Sequence, residues 1–296
     1  MTFRFVPPIK IHVWGGLGSQ LHGVALLYEL LERYPTRRVM LVLHTSGVTD
    51  RRSELDGLLP TEYLCYLSDF SEESFAEASQ AVESSYGFKL ENLFRNFGKL
   101  ILSLSGLYAR ANSDIEFERL KPWVMSIRGH YTARSIPTWA ILEIFNQAKS
   151  KGLIEFYAEN PLDSGIHYRL GDLLVLQTKG PTDSFKVATA VSIAREKFNA
   201  EKVSIFSDSG NQAKAILDEL CPGIDFEICE GDTWDVIGSL VAARVFIGTS
   251  SKVSEWIAIF RVVLDVNSQM LLPSHFQKLL QRYVLIPRDA PNVILY

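Results

Sequence analysis

Residues 165 to 172 read GIHYRLGD and place His167, Arg169 and Asp172 within six positions of one another. Read as a strand, the segment turns His167 and Arg169 to one face and Tyr168 and Leu170 to the other. A guanidinium is permanently charged and presents a fork of donors matched to phosphate oxygens, so an arginine at a strand end can anchor a nucleoside diphosphate. The competing reading is a structural salt bridge with a nearby aspartate.

Three further segments carry polar groups where an anion or a sugar can be met. The turn GGLGSQ at 15 to 20 contributes Gly16, Gly18 and Gln20. Its glycines let backbone N–H groups at a helix start approach a ligand, or simply make a tight turn. It has Leu21 where a dinucleotide fingerprint has its third glycine, and it lacks the lysine of a phosphate loop. FSDS at 206 to 209 sets Asp208 and Ser209 just beyond a strand, where a carboxylate can hold a base or ribose or cap the next helix. GTSSKVSEW at 248 to 256 places Thr249, Ser250 and Ser251 between strand and helix, a position that favours an anion.

Other chemistries find less support. His12, His22, His44, His130, His167 and His275 are scattered without ligand spacing, so no metal site is expected. No GxSxG elbow is present, and Cys65, Cys221 and Cys229 show no CxxC spacing. They read as buried thiols of a reducing compartment.

The elements that must position these groups follow from periodicity. IKIHVW, the glycine turn, a helix through SQLHGVALLYELLERY and the strand RRVMLVLHT predict a βαβ unit and hence a parallel sheet. SEESFAEASQAVESS reads as a solvated helix or loop, and FKLENLFRNFGKLILSLSGLYAR as helical. WVMSIRGH reads as a strand, followed by a polar turn and a helix introduced by Pro137. After the turn-rich FYAENPLDSG the pattern restarts: IHYRL, DSFKVATAVSIAREKF, EKVSIF, NQAKAILDEL, DFEIC, DTWDVIGSLVAA, RVFIG and SKVSEWIAIF alternate strand and helix. Two parallel-sheet domains are predicted, 1–160 and 161–296, with ligands at the carboxyl ends of the strands.

The bulk numbers agree. The chain has 296 residues, 47% of them apolar and 22% charged, enough for two cores. Thirty basic residues against 34 acidic ones give a net charge of −4 and no electrostatic footprint for nucleic acid. Pro7, Pro8 and Lys10 interrupt the apolar N-terminal run, and no later stretch has the length of a transmembrane helix. The expectation is a cytoplasmic protein with, at most, peripheral contact with the inner membrane.

In their order along the chain these segments resemble the α-1,2-fucosyltransferases of glycosyltransferase family 11. GGLGSQLHGVA is similar to the GGLGNQ-type opening, with Ser19 for Asn, and GHYT at 129 to 132 to a GYFQ-like segment. HYRLGDL at 167 to 173 is similar to HxRRGDY, FSDS to an FSDD-like strand end, and SSKVSEWIA at 250 to 258 to an NSTFSWWAA-type motif, keeping Ser251, Ser254, Trp256 and Ala258. Leu170, Leu173, Ser209 and Glu255 depart from those patterns. The resemblance implies a GT-B fold, two Rossmann-like domains across a cleft. It also implies inverting, metal-independent transfer of L-fucose from GDP-β-L-fucose to a glycan hydroxyl in α-1,2 linkage. No cofactor beyond the GDP-sugar donor is implied, and the acceptor class is a lipid-linked surface polysaccharide. Arg169, with His167 and Asp172, would form the catalytic group, Arg169 meeting the donor diphosphate. Asp208 and Ser209, Thr249, Ser250 and Ser251, and Gly16, Gly18 and Gln20 would line the donor and cleft. Leu170 leaves open a different GDP-sugar or linkage, and a sugar-nucleotide-binding or glycan-binding protein without transfer is the remaining alternative.

Overall fold

The computed structural model describes residues 7–44, 53–67, 101–155, 162–171, 173, 180–264, 269–278 and 292–296. They fall into two compact units, 1–136 and 137–296.

In the first unit, β1 (Ile9–Trp14), α1 (Leu17–Arg33) and β2 (Val39–His44) form the expected βαβ element. The parallel register runs from Ile9 against Val39 to Trp14 against His44. β1 lies in the middle of the sheet and is covered on both sides, which is why His12 is buried beside Ile11 and Val13. α1 lies close on this strand: a Cβ at Gly23 would sit 2.5 Å from a Val13 methyl. The sheet is completed by β3 (Leu64–Leu67), β4 (Tyr108–Arg110) and β5 (Ser126–Arg128), in the order β3-β2-β1-β5-β4, every pair parallel. A short α2 (Asp114–Glu118) follows β4.

The helix expected through FKLENLFRNFGKLILSLSGLYAR is corrected at its end. The chain is helical at 101–104, Gly106 takes a φ of +76°, and Tyr108–Arg110 pairs with β5 as a strand. A left-handed glycine is the usual helix stop, and it frees the last residues for the sheet edge. SEESFAEASQAVESS and the residues before 101 lie outside the described residues.

The second unit opens with α3 (Thr138–Ser150), for which Pro137 is the N-cap. The sequence placed the division at 160/161, whereas the compact units divide at 136/137. The reason is packing: α3 lies on the helix α7 (Lys252–Val263), with the Phe145 and Phe260 rings 5.3 Å apart. Strands and helices then alternate: β6 (Ser164–His167), α4 (Ser184–Phe198), β7 (Lys202–Phe206), α5 (Gly210–Leu220), β8 (Asp225–Ile228), α6 (Thr233–Ala242), β9 (Val245–Gly248), α7, β10 (Gln269–Leu272) and β11 (Val293–Leu295). The sheet order is β8-β7-β6-β9-β10-β11, all parallel. Counted within the unit this is 3-2-1-4-5-6, the order of a dinucleotide-type Rossmann sheet, and the order of strand addition reverses between β6 and β9. The expected α/β class, with two Rossmann-like parallel-sheet units, is therefore what the chain forms.

Helix ends explain why each segment stops where it does. Asp183 caps α4 through Phe185 N–H, Asp232 and Asp235 form a reciprocal capping box on α6, and Ser251 caps α7 through Ser254 N–H. The three cysteines are free thiols, with Cys221 buried.

Candidate functional site

The strand order of the second sheet reverses between β6 and β9, and the open crevice of such a sheet lies at the carboxyl ends of those two strands. His167 ends β6 and pairs with Gly248, which ends β9. The HYRLG segment and the TSSK segment, 80 residues apart in sequence, are thus side by side. The strand character of IHYRL stops three residues earlier than expected, at His167, although Tyr168 N–H still bonds Phe206 O at 2.9 Å. Alternation holds nonetheless: Tyr168 and Leu170 are each 1% exposed in the core, while His167 and Arg169 are only partly covered.

A hydroxyl network joins the strand end to the helix start. His167 Nδ1 lies 2.8 Å from Ser254 Oγ and 3.1 Å from Ser251 Oγ. Ser251 Oγ accepts from Ser254 N–H at 3.0 Å, and Ser254 Oγ accepts from Thr249 N–H at 3.2 Å. Thr249 Oγ1 donates to His167 O at 2.7 Å and lies 3.5 Å from Arg169 N. Ser250 N–H is bonded to Thr182 Oγ1 at 2.9 Å. Tyr296 O–H donates to Gly248 O at 2.5 Å, which fixes the end of β9 from the chain's last residue.

Burial pushes the His167 imidazole down to about 4, Asp208 opposing and Arg169 adding to the shift. At neutral pH it is uncharged, which suits a ring packed beside the electropositive start of α7. His167 therefore ties β6 to α7 and adds no positive charge to the crevice. The Ser254–His167 contact is no hydrolytic pair, since Ser254 has no exposure to solvent.

Asp208 has a defined task. Its Oδ1 accepts from both Leu170 N–H and Gly171 N–H, each at 2.9 Å, so it clamps the loop that carries Arg169. A Cβ on Gly171 would lie 2.5 Å from Asp208 Oδ2, so the close approach needs glycine. Ser209 is the N-cap of α5, with its N–H bonded to Ser207 Oγ. Asp172 lies outside the described residues.

The structure thus collects His167, Arg169, Asp208, Thr249, Ser250 and Ser251 at one sheet end. It also shows that several of them hold the loop: Thr249 is 1% exposed and its hydroxyl bonds backbone. What the assembly offers an anion is the partly covered Arg169 and the N-terminus of α7, whose first N–H groups carry the positive end of the helix dipole.

Gly16, Gly18 and Gln20 lie elsewhere, in the first unit after β1. Gly15, not Gly16, takes the left-handed conformation, at a φ of +93°. Leu17 N–H at the start of α1 bonds Glu54 Oε2 at 2.7 Å, and Gln20 links Gly15 O to Glu54 N–H, both at 3.0 Å. A carboxylate of the chain itself occupies the position where the sequence allowed a ligand anion. Gln20 is 3% exposed and locks that turn. Nothing local in GGLGSQ announces Glu54, because the partner comes from a different part of the chain.

Sequence reasoning also treated the histidines as scattered. His12 and His44 meet in the first unit, Nδ1 to Nε2 at 2.9 Å, with Trp14 stacked on His44 at 4.1 Å and the Arg128 guanidinium 5.7 Å from the Trp14 ring. Tyr131, at a positive φ of 57°, donates to His12 O at 2.7 Å. The signal available in sequence was that Trp14, His44, Arg128 and Tyr131 lie at or just past predicted strand ends, with His12 two residues before one. Among the described residues no group of three or more His, Cys, Asp or Glu could hold a metal ion. No described helix is long and apolar enough to cross a membrane.

No protein-family model matches the chain, and no curated protein does. Solved structures do resemble it. One is NodZ α-1,6-fucosyltransferase soaked with GDP-fucose, at 15% identity over 86% of this chain and 93% of that one, with a TM-score of 0.42. Others are UDP-GlcNAc 2-epimerase from Neisseria meningitidis bound to UDP-GlcNAc (10% identity, 89% and 82% covered, TM-score 0.43) and the E. coli heptosyltransferase WaaC with ADP (9%, 90% and 86%, TM-score 0.41). A likeness this loose is one of general architecture and says nothing of individual residues.

Proposed function

We propose that the chain is an inverting glycosyltransferase that moves L-fucose from GDP-β-L-fucose to a glycan hydroxyl, in α-1,2 linkage and without a metal. The observation that carries this reading is the meeting of HYRLG and SSKVSEW at the reversal point of a 3-2-1-4-5-6 sheet, through His167, Ser251 and Ser254. Those two segments are the most informative part of the resemblance to the α-1,2-fucosyltransferases. The positions kept in the second, Ser251, Ser254, Trp256 and Ala258, are all buried, and Ser251 and Ser254 tie α7 to His167 at the end of β6.

In such a displacement negative charge grows on the departing GDP while the sugar becomes oxocarbenium-like. The useful groups are those with fixed positive potential at the diphosphate. Arg169 supplies a guanidinium whose fork of donors matches phosphate oxygens, and the α7 N-terminus supplies N–H donors. Asp208 and the Thr249 hydroxyl keep the loop in place so that little reorganisation is needed as the charge develops.

The test is to incubate the protein with GDP-fucose, GDP-mannose and UDP-sugars, with and without chelator, and to follow nucleotide release beside calorimetric binding. Release from GDP-fucose that survives chelation is the expected result. Arg169→Ala should lower it about a hundredfold, the equivalent of about 3 kcal/mol of lost charge stabilisation. Binding without release would instead leave a sugar-nucleotide-binding protein. A second reading, another GDP-sugar or linkage, is favoured by one observation: Leu170 is buried in the core, so the second arginine of the HxRRGD pattern has no counterpart at the crevice. Preferential release from GDP-mannose would establish it.

A further inference from the structure

The first unit carries a groove of about 690 Å³, formed by residues 103–110 on one side and 116–123 on the other. Arg110, Arg119 and Lys121 line it, all exposed, and none of the three makes an ion pair among the described residues. The nearby acids are engaged within the fold: Glu116 accepts from Asn112 N–H at 2.6 Å, Asp114 from Ser135 N–H and O–H, and Glu118 lies 3.8 Å from Arg33. The lining thus carries three cations against one carboxylate, Glu116, on a chain of net charge −4.

Large apolar side chains flank the same groove. Leu104 is 78% exposed, Trp123 54%, Ile101 50% and Leu102 46%. They are held there by a built scaffold. Trp123 Nε1–H donates to Ser105 O at 2.8 Å, Met125 and Ser126 N–H both reach Leu107 O, and Gly106 turns the chain in the left-handed conformation. At about 100° per residue, Ile101, Leu102 and Leu104 spread over nearly half the circumference of their helix end.

From this combination we propose that the 101–123 face docks on an anionic membrane surface. Leu104 and the Trp123 ring enter the headgroup boundary, and Arg110, Arg119 and Lys121 meet lipid phosphates. Indole at an interface, aliphatic side chains beneath it and cations beside them is the pattern of interfacial binding. The charge complementarity selects acidic over neutral lipid. The proposal does not depend on the donor or on the reaction.

The experiment is co-sedimentation of the full chain with phosphatidylcholine vesicles containing 30 mol% phosphatidylglycerol, against pure phosphatidylcholine, at about 0.1 M and 0.5 M salt. Binding to the acidic vesicles alone, weakened by salt, is expected, with Trp123 emission quenched by brominated lipid and that quenching lost in Trp123→Phe. Arg119→Gln with Lys121→Gln should weaken binding about tenfold or more, each cation near the surface being worth about 1 kcal/mol. Leu104→Glu should abolish it while the circular dichroism spectrum and melting temperature stay as in the parent. Equal binding to both vesicle types, no binding, or unchanged binding by these variants overturns the proposal. So does a concentration-dependent dimer in sedimentation velocity that Leu104→Glu dissolves, since the face would then meet a second copy of the chain.

Discussion

His167 shows how burial decides what a residue can do. Its ordinary value is 6.5 and the folded chain holds it near 4, so the unfolded chain takes up the proton first as pH falls. The sign follows: this site costs the fold nothing above pH 6.5, costs progressively more between 6.5 and 4, and levels off below 4. A shift of that size corresponds to about 3 kcal/mol. His167→Gln should flatten that part of the stability-versus-pH curve, read from urea midpoints at pH 7 and pH 4.5, at the expense of some stability at pH 7. An unchanged slope would show that His167 is not the group responsible. Thr249 makes the complementary point. Its hydroxyl is buried between His167 O and Arg169 N, so Thr249→Val, which keeps the shape, should cost about 1–2 kcal/mol and loosen the loop under Arg169. Calorimetry would then show weaker GDP binding together with the lower urea midpoint. A midpoint shift with GDP affinity intact would place Thr249 in the fold alone.

At the scale of elements, the strongly periodic segments were legible. The α1 stripe, the Pro137 start of α3 and the whole alternation from β6 to α7 could be read from apolar spacing, because each buries a face or a strand in one of two cores. Two of the shortest strands were not. Tyr108–Arg110 and Val293–Leu295 have three residues each, too few for a period to show, and pairing with a neighbour alone makes them strands. The site was half legible for a related reason. Residue types at strand ends are local information, but partnership is not. Thus Asp208 was read as a sugar ligand or helix cap, whereas it clamps the two N–H groups after Arg169. The glycine turn reads either as a ligand approach or as a tight structural turn, and the second holds, with Glu54 bonded to its Leu17 N–H. Glu54→Ala should therefore lower stability by about 1 kcal/mol or more through the lost bond to Leu17 N–H. It should leave calorimetric GDP affinity unchanged, because the donor groups proposed here belong to the second unit. Gly171→Ala should do the reverse, disturbing the Asp208 clamp and donor binding with little change in the melting of the first unit. Equal effects of both variants on GDP affinity would mean that the turn after β1 contributes to the donor site.

For the whole molecule, the chief fact is that two parallel sheets with separate cores come from one chain, and that the proposed nucleotide groups all belong to one of them. A ligand that binds only the folded form stabilises by mass action, about 2.7 kcal/mol at a hundred times its dissociation constant. That energy enters where the ligand makes contact. GDP should therefore slow amide exchange in the segments ending β6 and β9 and opening α7, residues 166–171 and 248–255. It should leave β1, β2 and the Glu54-braced turn exchanging as before, unless the two units unfold as one. Where exchange proceeds by separate opening of each unit, protection is a property of local stability and not of the chain as a whole. Hydrogen exchange followed by mass spectrometry, with GDP, with UDP and with the Arg169→Ala variant, resolves this. Protection confined to the β6, β9 and α7 peptides, seen with GDP and absent with UDP or in the variant, is the expected pattern. Protection centred on the first unit would move the donor to the other sheet and remove Arg169 from the reaction.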